Sequence, residues 1–385
     1  MAMRRPKKRS SRKKLVIVLG IVLGSFALLI GGGALAFKLY YSHQFAAADG
    51  EPEPARWYGV YPAGAVNAEG GDYHGLYRIG SENNVLIYFN GGGVSVDDYT
   101  EQRSSNSGQA ESFYNVSPDG DNLVHSGLTG DQDENPFRNW TVIVLPYSTG
   151  DFHAGAGAHE YLKQDGEAGT VHHNGFTNFD LVLDKIQPYL GDPDKLVISG
   201  SSAGGFGAAL LSRHIADRFE NTDNVSVVVD SSLLLYDKWH DVASEMWKSP
   251  ATITNAIHSD NITLDSLQAM AEENPNAKIL FTSSTRDEAL VQYQSYLDGG
   301  PFSPSKKGGE EYQEELRNMI QQLKDTVPNL GVYIFEGAKD ENTKLTQHTI
   351  LLRALDAEVD DTAPADWIFQ AVQGNVQSYG EELLQ

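Results

Sequence analysis

The sequence runs to 385 residues, of which 40% are hydrophobic and 21% charged, and its 29 basic and 52 acidic side chains give a formal net charge of −23. It contains no cysteine, which excludes disulfides, thiolate metal sites and a cysteine nucleophile. The acidic balance argues against nucleic acid or an anionic lipid surface as a partner.

Residues 1–14 form a basic tail with eight Lys and Arg, and residues 15–37 carry no charge at all. At the helical rise this uncharged stretch would span about 34 Å, enough to cross a hydrocarbon core. The basic residues precede it and Asp49, Glu51 and Glu53 come after it, so the pattern predicts a single-pass signal anchor at the cell membrane. The N-terminus would be cytoplasmic and the remainder extracytoplasmic. The competing reading is a cleaved signal peptide ending near Ala34-Leu35-Ala36, which would release a secreted domain. Residues 1–38 hold nine of the basic side chains and none of the acidic ones, so residues 39–385 carry a net charge of −32. Residues 38–55, broken by Pro52 and Pro54, read as a linker. Residues 56–385 are long enough for one large α/β domain.

Within that domain, short apolar runs rich in β-branched residues recur at 85–89, 141–145, 196–198, 225–229, 278–282 and 332–335. Longer amphipathic stretches separate them and predict helices at 176–190, 204–219 and 310–326, the last with Tyr312, Leu316, Met319, Ile320 and Leu323 on one face. Continuous apolar strands alternating with helices predict a mostly parallel sheet covered on both faces. Residues 100–138 are polar and irregular. An excursion of that kind after an early strand is expected over the carboxyl ends of the strands, on the substrate rim.

Gly200-Ser201-Ser202-Ala203-Gly204 sits between the run Leu196-Val197-Ile198 and a stretch of small apolar residues. A chance Gly-x-Ser-x-Gly is expected about 0.3 times in a chain of this composition, so the pattern gains weight only from its strand-to-helix context. There it predicts a sharp turn presenting Ser202 as a nucleophile. Such a serine needs a base, a carboxylate to orient the base, and amide donors for the developing oxyanion. In an α/β-hydrolase order the acid and then the histidine follow the nucleophile along the chain.

The downstream histidines are His214, His240, His258 and His348. His214 lies well inside the nucleophile helix, and His240 and His258 fall in an insertion-like stretch. His348 ends the loop leaving the final strand and is the candidate base. Asp287 follows strand 278–282 and is the candidate acid, with Asp230, at the end of the preceding strand, as the alternative. Asn90-Gly91-Gly92-Gly93 follows strand 85–89 directly, so Gly92, Gly93 and Ala203 are the candidate oxyanion-hole amides. Gly150-Asp151-Phe152-His153 and the adjacent His172-His173 invite a metal reading. No carboxylate cluster accompanies them in sequence, and we assign no metal and no cofactor; Asp151 is expected to hold the loop beneath the site.

The segments Tyr88-Phe89-Asn90-Gly91-Gly92-Gly93, Asn135-Pro136-Phe137 with Asn139-Trp140, Pro146 to Gly155, Gly200 to Gly205, and Asp230-Ser231-Ser232 together resemble the pectin acetylesterase and Notum family of serine carboxylesterases. The resemblance implies an α/β-hydrolase-like fold, a Ser202-Asp287-His348 triad, an oxyanion hole at Gly92, Gly93 and Ala203, and removal of acetyl groups from pectin or of an acyl group from a lipidated protein. Two positions depart from the family: Ser148 stands where plant and animal relatives carry a cysteine, and Gly93 where an aromatic residue is common. The resulting expectation is an extracytoplasmic ester hydrolase acting on an O-acylated substrate, with an O-acetylated polysaccharide preferred. Two alternatives are a lipid or lipoprotein acyl ester, and an inactive binding module on the same scaffold.

Overall fold

The structure, a computed structural model, describes residues 45–117, 124–163 and 166–385. The predicted basic tail, anchor and first part of the linker lie outside the described residues. Among the described residues, no helix is long and apolar enough to cross a membrane. Phe45 packs against Trp57 with ring centroids 6.3 Å apart, so the chain from 45 onward already touches the sheet edge.

The described residues hold ten strands: β1 (Trp57–Val60), β2 (Gly75–Arg78), β3 (Asn84–Phe89), β4 (Thr141–Leu145), β5 (Gly157–Leu162), β6 (Ala168–His173), β7 (Lys195–Ser201), β8 (Val225–Asp230), β9 (Lys278–Ser284) and β10 (Leu330–Phe335). Eight of them form one sheet in the order β1-β2-β4-β3-β7-β8-β9-β10, and β5 and β6 pair separately. From β4 to β10 every pairing is parallel. All six predicted strands are there, in a parallel block. The sequence reading did not foresee β1 and β2, which add an antiparallel edge through β4.

Alternation along the strands feeds two cores, as burial on both faces requires. Ile87, Leu196, Ile198 and Val229 pack on one face with the helices α1 (Gly175–Ile186), α2 (Ala203–Arg218), α3 (Ile262–Glu273) and α5 (Lys306–Thr326). Leu86, Val197, Val228 and Leu280 pack on the other with α6 (Pro364–Val372). Between α3 and α5 in the chain lies α4 (Glu288–Leu297), which begins immediately after the candidate acid. The predicted apolar face of α5 is buried as a unit, and each such side chain contributes about 1.5–3 kcal/mol. The helix starts four residues earlier than predicted because Ser305 caps it, accepting from the Gly308 amide at 3.0 Å. Gly308 and Gly309, poor helix formers, mask that first turn in the sequence.

The order β4-β3-β7 places consecutive crossovers on opposite sides of β3. In an open α/β sheet that is the switch point, where the carboxyl ends of the strands leave a crevice. The loop after β3 and the turn after β7 lie side by side there, with Phe89 in register with Gly200.

Candidate active site

Strand β7 passes into α2 through Ser202 alone, which has φ 56° and ψ −127°. A serine in that region costs about 1–3 kcal/mol and persists only where its surroundings hold it. Close packing explains the flanking glycines. A Cβ on Gly200 would lie 2.1 Å from the Gly204 carbonyl oxygen, and one on Gly204 would lie 1.9 Å from that of Phe89. The Ser202 amide donates to the Asp230 carbonyl at 2.8 Å, and Ser232 Oγ donates to the Ser202 carbonyl at 2.9 Å.

Asp287 is fully buried and does two things at once. It caps α4, its Oδ1 accepting from the Leu290 amide at 3.0 Å, and both its oxygens lie 2.8 Å from His348 Nδ1. His348 reaches it on the loop leaving β10, and Thr346 fastens that loop to the acid's own segment. The Thr346 amide donates to the Arg286 carbonyl at 3.0 Å, the Glu288 amide to the Thr346 carbonyl at 3.1 Å, and the Arg286 amide to Thr346 Oγ1 at 2.9 Å. With Nδ1 donating to the carboxylate, Nε2 is the nitrogen left to take a proton. Burial lowers the basicity of His348, but the charge of Asp287, its hydrogen bond and the more distant charge of Asp230 outweigh this and leave the pKa raised.

Ser202 and His348 line one cavity of about 310 Å³ with Tyr88, Asn90, Gly91, Gly92, Gly93, Ser201, Ala289, Leu290, Tyr293, Thr349 and Leu352. The Ser202 hydroxyl has no hydrogen-bond partner among the described residues; a nucleophile–base contact is commonly loose before substrate binds.

The glycine loop after β3 forms the facing wall. A Cβ on Gly91 would stand 2.7 Å from Ser202 Cβ, and Gly93 adopts φ 83°. Its position is fixed from behind: the Asn115 amide donates to the Gly92 carbonyl at 2.7 Å and the Val94 amide to the Phe113 carbonyl at 2.8 Å. Tyr293 Oη also donates to the Phe113 carbonyl, at 2.6 Å. The polar excursion expected on the rim therefore braces this loop, while its later part, with Leu128 and Phe137, packs under the opposite face of the sheet. Buried His153 donates from Nε2 to the Asn90 carbonyl at 2.9 Å, and burial drops its pKa to about 4, so it is neutral. Ala203 is the first residue of α2, where the amide has no intrahelical acceptor. Gly92 and Gly93 thus line the same cavity as Ser202, and Ala203 follows Ser202 directly as the first residue of α2. Ala289, Tyr293 and Leu352 also line the cavity without having been foreseen.

Asp230, the alternative acid, is also fully buried, but its carboxylate is directed elsewhere. Oδ2 accepts from Ser201 Oγ at 2.8 Å and from the Ile350 and Leu351 amides at 2.9 and 3.0 Å, and Oδ1 from Ser231 Oγ at 3.0 Å. It holds the backbone beyond His348 rather than the imidazole. His214 pairs instead with Asp180 at 2.7 Å.

Asp151 organises the loop beneath the site, accepting from Thr149 Oγ1 at 2.5 Å and from the amides of His153, Gly155 and Gly175. His173 spans from the Thr149 carbonyl to Glu101 Oε1, which also contacts His159 Nδ1 at 2.8 Å. Asp98, Glu101 and His159 each bring a ligand-type atom within 4.8 Å of the others, the one such group among the described residues. None of the three lines the cavity of Ser202.

Strand order and site together define an α/β-hydrolase-like protein. The structure is similar to that of the Wnt deacylase Notum from Drosophila, with a TM-score of 0.55 and 16% identity over 82% of this chain and 92% of that one. No curated protein sequence matches the chain. The pectinacetylesterase family profile matches residues 72–285, more than half of the sequence, and the chain belongs to that family. It is accordingly a carboxylic ester hydrolase of the acetylesterase kind.

Proposed function

We propose that the protein removes acetyl groups from an O-acetylated polysaccharide through an acyl-serine intermediate. The observation that carries this reading is the strained Ser202 sharing one small cavity with His348, whose Nδ1 lies 2.8 Å from Asp287. Ser202 Oγ attacks the ester carbonyl as its proton passes to His348 Nε2. Asp287 holds the imidazole and stabilises the imidazolium, and the amides of Gly92, Gly93 and Ala203 receive the oxyanion. Collapse breaks the bond to the sugar oxygen, which leaves as the alcohol with the proton from His348. Water then attacks the acyl-serine, giving its proton to His348, and acetate and free Ser202 result.

The cavity, at about 310 Å³, is at the lower end of the roughly 300–1,000 Å³ common for ligand sites. That size supports a short acyl group with part of a sugar. Its apolar wall of Ala289, Leu290 and Leu352 favours, as a second reading, a longer lipid or lipoprotein acyl chain. Among the described residues no Lys or Arg lines the cavity, and the residues beyond 38 carry a net charge of −32, so a neutral glycan backbone suits this chain better than a polyuronate. The uncharged stretch 15–37 behind its basic tail supports membrane anchorage with the hydrolase domain outside.

The test is labelling by a serine-reactive fluorophosphonate together with acetate release from an aryl ester. Ser202→Ala should abolish both. Absence of both in the wild type, or their persistence in Ser202→Ala, rules the mechanism out.

A further inference from the structure

Among the residues of non-glycine type with left-handed backbone are Ser202, Ser231 and Thr349, with φ 56°, 53° and 57°. They belong to three segments far apart in sequence, yet all meet at the end of β8. The Asp230 carbonyl takes the Ser202 amide at 2.8 Å, Ser231 Oγ takes the Thr349 amide at 3.2 Å, and Asp230 Oδ2 takes the next two amides along the chain, Ile350 and Leu351. Thr349 is β-branched, a residue type that seldom adopts positive φ and does so only where it is held. It is also the residue directly after His348. The hydrogen bond from its amide to Ser231 Oγ therefore holds the backbone immediately next to the base.

We infer that Asp230 and Ser231 are positioning residues that lock the nucleophile turn and the base loop in one mutual geometry. This rests on the acyl-serine reading above. Four donors converge on the Asp230 carboxylate, two of them main-chain amides of the base loop, so its ionised form is satisfied without touching the imidazole. Ser201 Oγ also contacts Tyr88 Oη at 2.8 Å, extending the fastening across to β3 behind the glycine loop. An amide at position 230 removes the charge that holds the four donors and makes Ser231 Oγ accept where it donated, which loosens the base loop. A base displaced by about 1 Å costs on the order of 10²-fold in rate.

The charged groups acting on His348 are Asp287, from the segment before α4, and Asp230, from the end of β8. Both favour the imidazolium, so loss of the Asp230 charge moves the acid limb of kcat/KM to lower pH.

Asp230→Asn, Ser231→Ala and Ser202→Ala in the otherwise intact protein, assayed on an aryl acetate across pH with thermal unfolding in parallel, test the inference. For Asp230→Asn we expect kcat down about 10²-fold, KM nearly unchanged and the acid limb displaced downward. Ser231→Ala should lower kcat by about tenfold with the limb in place. A drop in Tm with kcat and the acid limb of both variants at wild-type values overturns the inference, since a purely structural residue would behave so. If Asp230→Asn does not fold, Ser231→Ala decides alone: kcat within twofold of wild type overturns it. An active Ser202→Ala would instead refute the acyl-serine reading itself.

Discussion

Replacing Asp287 by Asn separates the role of this residue in orienting His348 from its role in stability. Asparagine is as good an N-cap as aspartate, so the Leu290 amide keeps its acceptor and α4 its first turn. The other contact cannot be kept. His348 Nδ1 lies 2.8 Å from both carboxylate oxygens inside a fully buried site, and an amide there either turns its N–H at Nδ1 or offers a neutral acceptor. With N–H toward Nδ1, the ring adopts the tautomer protonated at Nε2 and cannot take the proton of Ser202. Loss of the correct tautomer and of the charge that supports the imidazolium is worth about 10⁴-fold in kcat, or about 5 kcal/mol of transition-state stabilisation. Asp287 is also the leading influence raising the His348 pKa. The base works unprotonated, so wild-type activity falls as pH drops through that raised value, and in Asp287→Asn the residual activity should fall at lower pH. Steady-state hydrolysis of an aryl acetate from pH 4 to 9, with unfolding followed by circular dichroism, measures both. More than a tenth of wild-type kcat in Asp287→Asn, or a larger loss in Asp230→Asn, would refute the assignment of the acid.

Gly204→Ala places a methyl 1.9 Å from the Phe89 carbonyl oxygen, backbone that cannot yield, and should destabilise the domain by about 3 kcal/mol in a denaturant titration. Rates on an O-acetylated polyuronate should rise from 10 mM to 500 mM salt as repulsion is screened, whereas rates on acetylated xylan should stay level; equal salt responses would remove the charge argument. Among aryl esters, acetate should be turned over faster than octanoate, in keeping with the cavity size; the reverse order favours the lipid reading. His153→Phe removes the donor to the Asn90 carbonyl and should cost about 1–3 kcal/mol of stability and roughly tenfold in kcat.

The parallel block was legible because each of its strands is a continuous apolar run, the mark of burial on both faces. Strands β1 and β2 were not: Trp-Tyr-Gly-Val and Gly-Leu-Tyr-Arg are short, contain glycine, and end beside polar residues. Strand β5 alternates half-buried and exposed positions and β6 buried and more exposed ones, and neither contains a continuous apolar run, so the pair was not predicted. In the site, Ser202, Asp287 and His348 could be named because each follows a recognisable strand. The rivalry between Asp287 and Asp230 could not be resolved from sequence, since both leave the carboxyl ends of neighbouring strands and only the direction of their carboxylates separates them. Ala289, Tyr293 and Leu352 gave no signal because their places depend on approach between segments far apart in the chain.

The fastening of Thr346 to residues 286 and 288 has a consequence for how such a protein can change over time. Acid and base are tied into one local unit, so their spacing does not depend on the path by which the chain returns from β10. The turn at Glu341 and Asn342 is exposed and lies beyond the pairing of Lys339 with Thr346, so its length can vary without moving the pair. New residues can accumulate there while the chemistry of the pair stays as it was.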